Sequence, residues 1–380
     1  MDKADFSIVD TLDEMRYELD ATPNARYGGY YYTENMKRMK VCIPHGQPPL
    51  PIRASASSYV GTVWVDNSLD MLDDAYEAAT SILNQHGLNA VTIDVLTNCV
   101  ALGVDEDTPQ VRDELLRKLA KLGTGAATPF TFHQEDRAEG MDLDCCGAPL
   151  NWVQMKDGSS WEDCDVVPGG WLGYGDSVNS IKGVRSVTCA VLYDGRPFFL
   201  TAGHTKIAVD DQVFYAAPPS SGVYPEDLRT MATSAVPIGN VAMKKLGGYF
   251  DFASIERTNG RALARACAYN GLTLCGDASK PAVGEIVRYT GVADKSVETS
   301  VKSLKSAVSY YGQTMKNIVA VYGTGSNGTS GGPLMRNISG KEYLVGLASC
   351  RKPATGVTFF TYFKEVKDAY KLTPVFPEGT

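Results

Sequence analysis

Residues 323–334 read Gly-Thr-Gly-Ser-Asn-Gly-Thr-Ser-Gly-Gly-Pro-Leu. A serine is a poor nucleophile until a base takes its proton. Attack on an amide also creates an oxyanion that needs fixed donors. Glycines on both sides of Ser330 let backbone N–H groups turn inward with no Cβ in the way. The N–H groups of Gly328 and Ser330 are the candidate oxyanion donors. A glycine-rich turn alone is weak evidence, so the reading depends on what precedes it.

Working upstream, the second half of the chain holds one histidine, His204, in Leu-Thr-Ala-Gly-His. It follows a β-type run at 184–193, an Asp194-Gly195 turn suited to a hairpin, and a return run at 198–201. A lone histidine is more often structural than catalytic. Next comes Gly-Tyr-Phe-Asp251-Phe-Ala, an alternating strand interrupted by one acid between two phenylalanines. A half-buried carboxylate needs a partner to offset desolvation. The order His204, Asp251, Ser330, spaced by 47 and 79 residues, carries the weight that no single element does. Further β-type runs at 213–215, 282–289, 317–322, 343–348 and 357–362, with a closing helix at 364–370, predict an all-β sandwich or barrels.

These segments resemble the chymotrypsin-like, two-barrel serine endopeptidases. Thr201-Ala202-Gly203-His204 is similar to the histidine motif, Asp251-Phe252-Ala253 to the aspartate motif, and Gly328-Thr329-Ser330-Gly331-Gly332-Pro333 to the nucleophile motif. Val345-Gly346-Leu347-Ala348-Ser349 resembles the strand lining the primary specificity pocket, and Gly356-Val357-Thr358-Phe359 its return strand. The resemblance spans residues 184–372. It implies an acyl-enzyme mechanism in which Ser330 attacks, His204 shuttles the proton and Asp251 orients the imidazole. It places Thr324, Ser349, Cys350, Arg351 and Gly356 around the substrate, with Ser349 bonded to Asp251. Thr329 stands where secreted members carry the aspartate that pairs with a freshly cut N-terminus, so activation of that kind is not expected. Thr324 disfavours cleavage after basic residues. Ala348 disfavours the Gln/Glu specificity of viral relatives that carry histidine there.

The first half reads differently. Helical spacing appears at 72–86 before Gly87, and at 108–122 with Thr108 as N-cap, Pro109 in the first turn and Gly123 as the stop. A short strand is expected at 90–96. All four tryptophans lie here and are expected in the core. Residues 156–183 are rich in Gly, Ser and Asp and read as a linker. The expected organisation is an N-terminal mixed α/β region of unknown role, 1–180, and a C-terminal all-β double barrel, 181–380.

Composition narrows the function. The 380 residues carry 36 Lys+Arg against 44 Asp+Glu, a net charge of −8, without a basic block, so nucleic acid is not the expected partner. No apolar run is long enough to span a bilayer, and the first residues do not read as a signal peptide. Nine cysteines, an odd count without regular spacing, predict free thiols in a reducing compartment. Adjacent Cys145 and Cys146, with His133 and Cys164, lack zinc-ligand spacing, so neither metal nor cofactor is expected. Sequons at Asn327 and Asn337 would put a sugar beside the nucleophile in a secretory lumen. The sum is a cytoplasmic, non-secreted endopeptidase acting on polypeptides, similar to the polyprotein-processing proteases of positive-strand RNA viruses. A structural or capsid-like protein that cleaves only itself, or nothing, remains the alternative.

Overall fold

The computed structural model describes residues 3–34, 36–124, 130–141, 143–144, 164–177, 180–204, 207–216, 224, 235–258, 262–264, 268 and 270–376. The described residues are mostly β, with 48% strand and four α-helices among them. Contacts divide the chain into two compact units, each discontinuous in sequence. One comprises Met1–Ala138, Pro281–Ile286 and Ser300–Tyr322; the other comprises Glu139–Lys280, Val287–Thr299 and Gly323–Thr380. The division differs from a single cut near residue 180.

In the first unit, the helix Pro109–Lys121 starts where the sequence suggests, with Thr108 Oγ1 accepting the Val111 N–H. The helix Leu69–Ser81 is capped by Ser68 in the same way and ends before residue 86. Asn84, His86 and Gly87 take positive φ there, which ends the helical path. Both helices bury an apolar stripe (Leu72, Tyr76, Leu115, Leu119) against the antiparallel pair Leu88–Asp94 and Cys99–Val104. The long hairpin of Val297–Tyr310 and Gln313–Tyr322 joins this sheet, with Ala307 opposite Val91.

The main strands of the second unit lie in two sheets, beside a short parallel pair of Cys164–Val166 with Ala262–Ala264. One sheet runs Thr373–Pro374, Ala190–Tyr193, Arg196–Thr201, Phe250–Arg257, Val236–Gly247, Gln212–Ala216, Trp171–Ser177, Ser180–Ser186, Leu143–Asp144. The other has Lys341–Lys352 at its centre here, paired with Pro333–Ile338 and Val357–Tyr362. Between them lies an apolar core of Val191, Phe198, Leu200 and Phe252 against Leu274, Met335, Leu347 and Phe363. This core sets the distance between the hairpin carrying His204 and the loop carrying Ser330.

Within the expected linker at 156–183, the described residues include the strands Cys164–Val166 and Trp171–Ser177 and the start of Ser180–Ser186; residues 156–163 and 178–179 lie outside them. Glycines in these strands serve packing. A Cβ on Gly173 would strike the Trp171 ring, and one on Gly183 the Tyr174 hydroxyl. Trp171 is fully buried, whereas Trp64 is half exposed; Trp152 and Trp161 lie outside the described residues. Among the described residues the cysteines 42, 99, 189, 275 and 350 are free thiols, and no helix is long and apolar enough to cross a membrane. Cys145 and Cys146 fall outside them.

Candidate active site

Strand register brings the first two groups together. Arg196–Thr201 pairs antiparallel with Phe250–Arg257, Thr201 opposite Ala253. Two residues further, Gly203 falls opposite Asp251, and its N–H donates to Asp251 Oδ1 at 2.8 Å. A Cβ on Gly203 would collide with the Phe252 carbonyl, so only glycine admits this approach. His204 Nδ1 lies 2.6 Å from Asp251 Oδ2. A carboxylate only accepts, so Nδ1 carries the proton and Nε2 is left as an acceptor. Ser330 Oγ sits 2.7 Å from that Nε2. All three side chains are fully buried. A carboxylate at that depth costs several kcal/mol unless paired, and Asp251 is paired at both oxygens.

His204 is also held from behind. The Arg185 guanidinium, buried and stacked 4.6 Å over the Tyr174 ring, donates to the carbonyls of Ala202 and His204. Arg185 carried no signal in the sequence, since its partners are backbone oxygens.

The Ser330 loop is tied down on all sides. Ser186 Oγ donates to the Gly328 carbonyl at 2.7 Å and Thr188 Oγ1 to the Gly331 carbonyl at 2.6 Å. The Ser186 N–H reaches the Ser330 carbonyl at 2.7 Å. Asp294 takes the Ser326 N–H at 2.6 Å, the Ser326 hydroxyl at 2.7 Å and the Thr329 hydroxyl at 2.6 Å. Thr329 thus meets a carboxylate from the chain interior, not a terminal amine. Gly328, at φ +96°, turns its N–H to the Met141 carbonyl. Among the described residues nothing accepts the Ser330 N–H.

The five expected substrate-side residues divide. Arg351 faces the loop, donating to the Gly325 carbonyl, to Asn327 Oδ1 at 2.8 Å and to Glu139 at 2.9 Å. Gly356, at φ +62°, accepts the Gly323 N–H at 2.7 Å. Thr324 is exposed. Cys350 is buried, and burial, reinforced by nearby Asp251, pushes its thiol well above the ordinary range. The expected bond from Ser349 to Asp251 is not formed; the Ser349 hydroxyl instead pairs with that of Thr361 at 2.9 Å, across the strand pair Lys341–Lys352 and Val357–Tyr362. Thr358 was not anticipated. Its hydroxyl accepts the Gly325 N–H at 2.9 Å and donates to the Gly323 carbonyl at 2.8 Å, tying the strand Val357–Tyr362 to the segment before Ser330. Among the described residues no cluster of side chains is arranged to hold a metal ion.

No protein-family model and no curated protein matches this chain. Solved structures with similarity to part of it include Protease A of Thermobifida fusca (19% identity, TM-score 0.43, covering 56% of this chain and all of that one). Another is the chymotrypsin of Cellulomonas bogoriensis (21%, TM-score 0.42, 56% and 100%). A third is a glutamic acid-specific serine protease described as using a histidine triad in substrate binding (22%, TM-score 0.41, 55% and 100%).

Proposed function

We propose that this protein is a serine endopeptidase that hydrolyses peptide bonds through an acyl-enzyme. The observation that carries the reading is the continuous hydrogen-bonded chain from Ser330 Oγ through the His204 imidazole to Asp251. His204 Nε2 accepts the Ser330 proton as Oγ attacks the substrate carbonyl. Asp251 holds the ring in the needed tautomer and stabilises the imidazolium. The carbonyl oxygen, now negative, is met by the N–H groups of Gly328 and Ser330. The imidazolium then protonates the departing amine, and water repeats the sequence to release the acid.

Polyprotein processing in a reducing compartment is the finer part of the proposal. It is supported by the internal Asp294 anchor, which needs no activating cut at an N-terminus, and by five described cysteines without disulfides. The test is labelling with a fluorophosphonate probe. Wild type should be labelled at Ser330 and Ser330→Ala should not; equal labelling of both would remove Ser330 as nucleophile.

A further inference from the structure

The strand Glu139–Gly140 lies antiparallel on Lys341–Lys352, with Gly140 opposite Cys350 and Glu139 opposite Arg351. One residue on, the Met141 carbonyl accepts the Gly328 N–H, the donor assigned above to a developing oxyanion. Beyond residue 142, Leu143–Asp144 pairs antiparallel with Ser180–Ser186, Leu143 opposite Val184. The Met141 side chain is fully buried. Its sulfur lies so close to Gly325 that a Cβ built there would stand 2.6 Å from it. Ser330 and His204, which any substrate must reach, are likewise fully buried.

A strand added merely to cover a sheet edge needs ladder bonds. It has no need to place a carbonyl on the Gly328 N–H or a long, fully buried side chain against Gly325. Peptides bound as an added strand do combine main-chain pairing with pockets for chosen side chains. We propose that the strand ending at Met141 is this protein's own substrate, held as the residues before the cut, and that the bond cut is the one that follows the Met141 carbonyl, to Asp142. This rests on the endopeptidase reading above. Ser330 Oγ bonds to the Met141 carbonyl carbon while its proton passes to His204. The bond to the Asp142 nitrogen breaks as that nitrogen takes the proton. Water then adds to the acyl carbon, its proton passing through His204 to the departing Ser330 oxygen. The products are a chain ending in a Met141 carboxylate and one beginning with an Asp142 amine. The substrate class follows. The space beside Gly325 takes a long, unbranched apolar side chain before the cut, and Arg351 pairs with an acid two residues earlier.

The test uses the purified full chain, followed by denaturing electrophoresis, intact mass and N-terminal sequencing. Wild type should yield a new N-terminus at Asp142 and a partner ending at Met141, and Ser330→Ala should stay whole. Met141→Asp should stay whole at this bond while its Ser330 still takes the fluorophosphonate probe. Should that variant fail to fold, a synthetic peptide of residues 136–144 offered to the wild-type chain gives the same answer. Cleavage after methionine is expected, about 100-fold slower when aspartate replaces it, since an unpaired charge cannot enter that space without penalty. Wild type that labels at Ser330 but leaves both this bond and the peptide intact would overturn the proposal and spare the enzyme reading. Absence of both labelling and cleavage would overturn both.

Discussion

Replacing Asp294 with alanine asks whether an interior carboxylate sets the shape of the nucleophile loop. Three donors lose their acceptor at once. Thr329 is fully buried, so water cannot substitute, and a stranded buried hydroxyl costs about 1–3 kcal/mol. Ser326 is half-buried, so water can replace its two bonds, at a net loss of about 1 kcal/mol each. The expected destabilisation is therefore about 3–5 kcal/mol, read as a lower urea midpoint at unchanged slope. The loop also aims the Gly328 N–H, and losing one oxyanion donor typically lowers turnover by about 10²–10³. The rate of fluorophosphonate labelling should fall by a similar factor. Asp294→Asn keeps an oxygen for Ser326 N–H and Thr329, and its amide can donate to the Ser326 hydroxyl. It should stay within about tenfold of wild type, since it loses charge assistance and not the bonds. Thr329→Val, which removes one of the three bonds, should fall between. If Asp294→Ala labels at the wild-type rate, or if asparagine is as damaging as alanine, the anchoring argument is wrong.

Other consequences can be measured directly. Ser330→Ala and His204→Ala should each lower turnover by about 10⁴–10⁶, and the double variant little further, because the groups act as one unit. Gly203→Ala should separate His204 from Asp251, since the new methyl meets the Phe252 carbonyl and the Lys245 carbonyl. Near-complete loss of labelling is expected, and a wild-type rate would refute the steric argument. Burial pushes the Cys42 thiol up to about 11 and holds Cys189 and Cys350 above the ordinary range. The folded chain thus keeps protons that unfolded thiols release near pH 8.5. Their stabilisation is complete below that value and falls by about 1.4 kcal/mol per thiol per pH unit toward pH 11. A urea midpoint that stays flat between pH 8 and 10.5 would contradict this assignment.

Local chemistry was legible where a residue acts on its near neighbours. Thr108-Pro109 starts a helix because the hydroxyl reaches Val111 N–H three residues away. Asp194-Gly195 turns a hairpin because both residues take positive φ. The positions of His204, Asp251 and Ser330 were readable because each sits in a short segment whose composition has a chemical reason. What escaped notice acts across long separations. Asp294 serves a loop more than thirty residues later, and nothing around it distinguishes it from a surface acid. Met141 lies in a stretch without pattern and meets Gly328 only through the fold. In the stretch that reads as a linker, Gly173 and Gly183 make room for the rings of Trp171 and Tyr174, which composition alone does not reveal. The Ser349 hydroxyl finds its partner, Thr361, on the neighbouring strand, a pairing that only the register reveals.

The interleaved sequence of the first unit bears on what a cut after Met141 would do. Val91 and Thr92 pair with Ala307 and Ser306, residues on opposite sides of the severed bond. Nicking would therefore turn one polypeptide into a heterodimer held by a shared sheet, and not into two free proteins. Native sizing would register no event, and only denaturation would separate the pieces. The same interleaving makes a fragment of 181–380 a poor unit for expression. It would carry the 300–322 hairpin with the edge that pairs Leu88–Asp94 laid bare, an open template for aggregation.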